Sequence, residues 1–145
     1  MIKTEIATEH DIDVFEYDGI EKEMLDKLNW REQLVTYHKI GQVWKVTNES
    51  QNPIMLWGLF ICSPGVKSGW MLFNRTAGFY AKSIATDIKE RLKEELKTCH
   101  RIQTYVFAGD KAAGYVKLFG LKYEATLKNF GPNKEDAKIY SMVQS

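Results

Sequence analysis

A chain of 145 residues, 44% apolar and 27% charged, has the size and composition of one soluble globular domain able to bury its own core. Lys and Arg number 20 against 19 Asp and Glu, a balance that excludes a broad nucleic-acid surface. Lys122, Lys128, Lys134 and Lys138 cluster late in the chain, but Glu124, Glu135 and Asp136 are interleaved with them, as on a solvated mixed-charge face.

MIKTEIA reads as a short opening strand, and Thr8 followed by Asp11 has the spacing of a capping box that starts a helix through Phe15 and Tyr17. Residues 20–39 carry Met24, Leu25, Leu28 and Leu34 at roughly helical spacing. Strand signals follow in QVWKVT, IMLWGLFIC and GWMLFNR, separated by the turn formers TNESQNP and SPGVKSG, which predicts an antiparallel meander. The meander runs into a long helix on which Ala81, Ile84, Ala85, Ile88, Leu92 and Leu96 form one apolar stripe. That stripe is core. RIQTYVFAG is a buried strand, DKAAGYVKLFG a short helix closed by Gly120, and LKYEATLKNF with AKIYSMVQS a final hairpin across GPNKED. No repeat, linker or low-complexity segment interrupts the order.

Chemistry-bearing residues are sparse. Cys62 lies in an apolar run and Cys99 at a helix end, without metal-site spacing, so both read as buried free thiols. His10, His38 and His100 are scattered among helices and their ends and read as surface residues. No Asp, Glu or His occurs between Glu49 and Asp87, so the central strands supply no general base. Asp110 stands where a strand meets a short helix, the place of a base or of a helix cap. In FNRTAGFYAKSI, Arg75 and Gly78 ahead of a helix suit an anion held by backbone N–H groups, whereas the bulk of Phe79 and Tyr80 does not. Alternatively, Thr76 and Gly78 shape the helix start while Phe79 packs inward. Trp44, Trp57, Trp70, Phe60, Phe73, Phe79 and Tyr80 crowd the same region and are expected to be mostly core.

The order of elements, with YVFAGDKAAGYVKLFGLKYEA late in the chain, resembles the GNAT superfamily of acetyl-coenzyme A dependent N-acetyltransferases over nearly the whole sequence. Gly120 and Leu121 stand at that family's Gly-Phe pair, Ala112 at its Ala and Tyr115 at its first aromatic. The resemblance implies one α/β (α+β) domain, residues 1–145, built on a mixed, mostly antiparallel sheet of about seven strands with helices on both faces. RIQTYVFAG would then lie parallel to GWMLFNR, with the long helix as the crossover.

A closer likeness is to the small GNAT-like internal virion proteins of short-tailed phages. The family's pattern of Gln or Arg, two residues, Gly, one residue, then Gly or Ala is met at Arg75 and Gly78 and broken at Tyr80, and VKLFG has an aliphatic residue where Tyr is usual.

By this resemblance Leu72, Phe73, Arg75, Thr76, Gly78, Tyr80 and Ala81 would hold acetyl-coenzyme A, and Tyr115 and Asp110 are the candidates for catalysis. Val116 occupies the place of the common acid, and one residue along a helix turns a side chain by about 100 degrees, so Tyr115 need not face the same way. Two readings stand: a virion-associated or host-interaction protein with a degraded cofactor site and no certain cofactor, or a working N-acetyltransferase on an unidentified amine. The first implies other phage structural proteins or a host protein as partners, no nucleic acid, and a place in the host cytoplasm or the virion. No secretory leader opens the sequence, and no apolar stretch is long enough to span a membrane.

Overall fold

The structure, a computed structural model, describes residues 1–19, 22–107 and 112–145; Asp110 and the side chains of Glu23, Met24 and Ala112 lie outside the described residues. In chain order the elements are β1 (Lys3–Ile6), α1 (Glu9–Val14), α2 (Lys22–Lys27), α3 (Trp30–Lys39), β2 (Gly41–Thr47), β3 (Pro53–Ser63) and β4 (Val66–Phe73). A 3-10 turn (Arg75–Tyr80) leads into α4 (Ala81–Glu95), followed by β5 (Arg101–Phe107), α5 (Ala112–Leu118), β6 (Lys122–Leu127) and β7 (Ala137–Val143).

The seven strands form one mostly antiparallel sheet in the order β1-β2-β3-β4-β5-β7-β6. β5 lies parallel to β4, as expected for strands joined by a helix. Their ladder pairs Val66–Ser68 with Arg101–Gln103, and just past it the Thr104 hydroxyl donates to the Gly69 carbonyl at 2.8 Å. β7 inserts between β5 and β6, so the last hairpin pairs inward through its second strand.

Two local expectations are corrected, and the helical stretch before β2 is resolved. The capping box of Thr8 and Asp11 forms, but α1 stops at Val14 and Phe15 is extended (φ −65, ψ 123). Phe15 follows Ile12 at helical spacing, but Tyr17 lies only two residues beyond it, and both are buried from a non-helical backbone. Among the described residues from 22 to 39 the helical spacing is met by two helices, with Asn29 left-handed (φ 52) as the N-cap of α3; Asn tolerates that region better than most residues. β4 begins at Val66, earlier than GWMLFNR, because Pro64 and Gly65 alone make the hairpin turn and Gly65 takes φ +76.

The chain divides into two compact units, Met1–Phe60 with Trp70–Ala81, and Ile61–Gly69 with Lys82–Ser145. In the first, Ile12 and Phe15 on the α1 side, Trp30 and Leu34 of α3, and Val43, Leu56 and Leu72 of the strands share one buried cluster. Trp30 meets Phe15 and Tyr17 edge-on, each at 6.5 Å between ring centroids. Burial of each such large apolar side chain contributes roughly 2–3 kcal/mol. Trp70 packs against this cluster over Gly58, where an added Cβ would stand 2.8 Å from the Trp70 ring. Trp44 and Trp57 are buried and stacked at 4.2 Å.

In the second unit α4 buries Ile84, Ala85, Ile88 and Leu92, the expected stripe short of its ends. Ile102 and Val106 of β5, Val116 of α5, Phe119 and Tyr140 are buried too. Gly120, at φ +95, closes α5 as predicted. Cys99 is buried, whereas Cys62 is exposed, because β3 runs into solvent over Ile61–Ser63. His10 and His100 are exposed and His38 is half-buried.

Candidate functional site

Asn74 joins β4 to the turn that follows, and an amide side chain suits that junction because it carries both donors and an acceptor. Asn74 is buried; its backbone N–H donates to Ile54 O at 2.9 Å and its carbonyl accepts from Ala77 N–H at 3.0 Å. Its Nδ2 donates to Glu16 O at 2.9 Å and its Oδ1 accepts from Asp18 N–H at 2.8 Å. In return Arg75 N–H donates to Asp18 Oδ1 at 2.9 Å. The stretch just after α1 is thereby tied to the start of the β4–α4 turn.

The far end of the turn is held differently. The Tyr80 hydroxyl lies 2.9 Å from both Glu49 oxygens, and this hydrogen bond pushes the phenol above its ordinary value. Glu49 is held below its ordinary range by its own backbone N–H and by Tyr80. Between the two ends Ala77 is buried, and Arg75, Thr76, Gly78 and Phe79 are exposed. Phe79 does not pack inward; it is 88% exposed. A Cβ added at Gly78 would meet nothing within 4 Å.

The turn collects Arg75, Thr76, Gly78, Tyr80 and Ala81, with Leu72 (buried) and Phe73 (half-buried) on the strand leading into it. Three of its backbone donors are already used within the fold. The Arg75 N–H is already given to a carboxylate, and those of Ala77 and Ala81 are given to the carbonyls of Asn74 and Gly78. Asp18 also sets a negative charge at the near end, whereas Glu49 at the far end is paired with the Met1 ammonium at 3.5 Å. Tyr115 is a half-buried residue of α5 in the second unit, and its neighbour Val116 is buried; Asp110 lies outside the described residues. Asn74, Asp18 and Glu49 were not among the sequence candidates. Their contacts span 56, 57 and 31 positions, and only an Asn at a strand end hinted at them. Among the described residues no group of three or more His, Cys, Asp and Glu could hold a metal, and no helix is long and apolar enough to cross a membrane.

No protein-family model and no curated protein matches the sequence. Solved structures match the fold. A ribosomal-protein-alanine N-acetyltransferase from Brucella melitensis is 16% identical, with 98% of this chain and 99% of that one covered and a TM-score of 0.72. The ribosomal-protein-S5-alanine acetyltransferase from Vibrio fischeri is 15% identical (98% and 92% covered, TM-score 0.69). A spermidine N-acetyltransferase SpeG chimera from Vibrio cholerae and hSSAT is also 15% identical (98% and 95% covered, TM-score 0.70). The chain therefore has the α/β fold of the GNAT N-acetyltransferases, with their seven-stranded, mostly antiparallel sheet.

Proposed function

We propose that this is a GNAT-fold protein that acts by contacting other proteins, within a phage particle or on a host protein, and that its acetyl-coenzyme A site is degraded. The observation that carries the loss of chemistry is Val116: a buried apolar side chain stands where the fold's acid is expected, and β2, β3 and β4 contain no Asp, Glu or His. The virion role is supported by the resemblance in the 75–80 pattern and in VKLFG. Contact with proteins is supported by the exposed Tyr105 and Phe130, stacked at 5.1 Å in the second unit.

The second reading, an N-acetyltransferase holding acetyl-coenzyme A along residues 72–81 with Tyr115 and Asp110 as the candidates for catalysis, is favoured by the likeness in fold across 98% of the chain. Melting curves separate the two. A ligand at about one hundred times its dissociation constant adds roughly 2.7 kcal/mol. Millimolar acetyl-coenzyme A is expected to leave the melting temperature unchanged; a clear rise, lost in a Gly78 variant, restores the transferase. For the virion role, the protein should be found by mass spectrometry in purified particles of a phage that encodes it.

A further inference from the structure

We infer that the β4–α4 turn carries an anion of its own: the Asp18 carboxylate, positioned by Asn74, occupies the donor that a cofactor phosphate would use and so keeps coenzyme A and free pyrophosphate out. This deepens the reading of a degraded site and rests on it, adding the residue that closes the site.

The contact is reciprocal between two segments far apart in sequence. Asp18 accepts from the main chain of Arg75 at 2.9 Å, and Asn74 accepts from the main chain of Asp18 at 2.8 Å. The other half of the Asn74 amide holds Glu16 O at 2.9 Å, so the backbone is gripped on both sides of residue 17 by one buried side chain. Asp18 is thus presented to the Arg75 N–H, and an incoming phosphate competes with a tethered group at high effective concentration.

A displaced carboxylate would still repel the newcomer, because like charges within a few ångströms disfavour one another. Among the described residues, the other charged groups at the turn are Arg75 and Lys82, both exposed, and Glu49, which is bound to Tyr80 at the far end and lies 3.5 Å from the Met1 ammonium. At the near end a dianion therefore meets the Asp18 carboxylate, while at the far end the Met1 ammonium offsets the charge of Glu49. Tyr80, which breaks the sequence pattern, is turned to Glu49 by its hydroxyl, so the main obstacle this structure assigns is Asp18 and not the Tyr80 ring.

The test uses the full chain, with inorganic pyrophosphate and coenzyme A as separate probes, followed by calorimetry at low salt and by the backbone amide resonance of Arg75. Asp18→Ala removes the carboxylate; Asp18→Asn keeps an oxygen for the Arg75 N–H without the charge and serves where the alanine variant folds poorly. Asp18→Ala is expected to bind both probes at least about tenfold more tightly than the unmodified protein, with the gain shrinking as salt is added, and Asp18→Asn, whose oxygen still takes the Arg75 N–H, to gain less. The Arg75 amide should move on titration. Folded variants that bind neither probe more tightly overturn the inference while leaving the idle-site reading in place. Micromolar binding of coenzyme A by the unmodified protein overturns both the inference and the idle-site reading, whatever Asp18→Ala adds.

Discussion

The two halves of the β4–α4 turn are built on opposite terms. At its start Asn74 and Arg75 are hydrogen-bonded to β3, to Glu16 and to Asp18, and Asn74 is buried. Two residues further on, Gly78 has open space where a Cβ would stand and Phe79 lies in water. Gly78 is also not among the described glycines with positive φ, which are Gly65 and Gly120. The fold makes no steric demand for glycine at 78, whereas it depends on Asn at 74. The residue that a motif picks out and the residue that the structure leans on are different residues of one turn.

The largest effect expected from breaking this contrast is that of Asn74→Ala, which strands the Glu16 carbonyl and the Asp18 N–H and should cost about 2–3 kcal/mol. Urea melts would measure it. A loss below about 0.5 kcal/mol would mean that both halves of the turn are equally loose.

Asp11→Asn acts one step upstream, on the capping box of the helix that delivers residues 16–18, and should cost about 1 kcal/mol at neutral pH. Burial pushes the Asp11 carboxyl up, but the Thr8 N–H and Lys45, at 2.9 Å, hold it below its ordinary 3.8. A depressed carboxyl stabilises the fold fully above its unfolded value and loses that contribution as pH falls through the folded one. The gap between variant and unmodified protein should therefore be steady at neutral pH and close below about pH 4. A gap that widens in acid contradicts the assignment.

Glu49→Gln sharpens the comparison at the far end of the turn. It removes the charge that favours the neutral phenol, so the Tyr80 absorbance titration should move to lower pH. An unmoved titration would show that the contact does not persist in solution. Smallest of all is Gly78→Ala, expected within about 0.5 kcal/mol of the unmodified protein.

Most of the fold was legible because most strands and helices announced themselves by periodicity and by a turn former at their ends; the α4 stripe and the Gly120 stop are where they were read. The length of α1 was not, since Phe15 follows Ile12 at helical spacing while being buried from an extended backbone. Cys62 misled for a related reason: its apolar neighbours belong to a strand whose last residues leave the core. Of the site, the turn itself was readable from FNRTAGFYAKSI, but the carboxylates that close it were not. Asp18 and Glu49 reach it across long stretches of chain, and no local pattern encodes such a meeting.

The unequal exposure of the two thiols has a practical consequence. Burial pushes the Cys99 thiol up, which slows its attack on electrophiles, whereas Cys62 is open to reagent. A maleimide dye should therefore attach once to the native protein and twice after unfolding. One label at position 62 gives a reporter on the β3–β4 hairpin, and the rate at which the second thiol becomes reactive gives a clock for opening of the segment between α4 and β5.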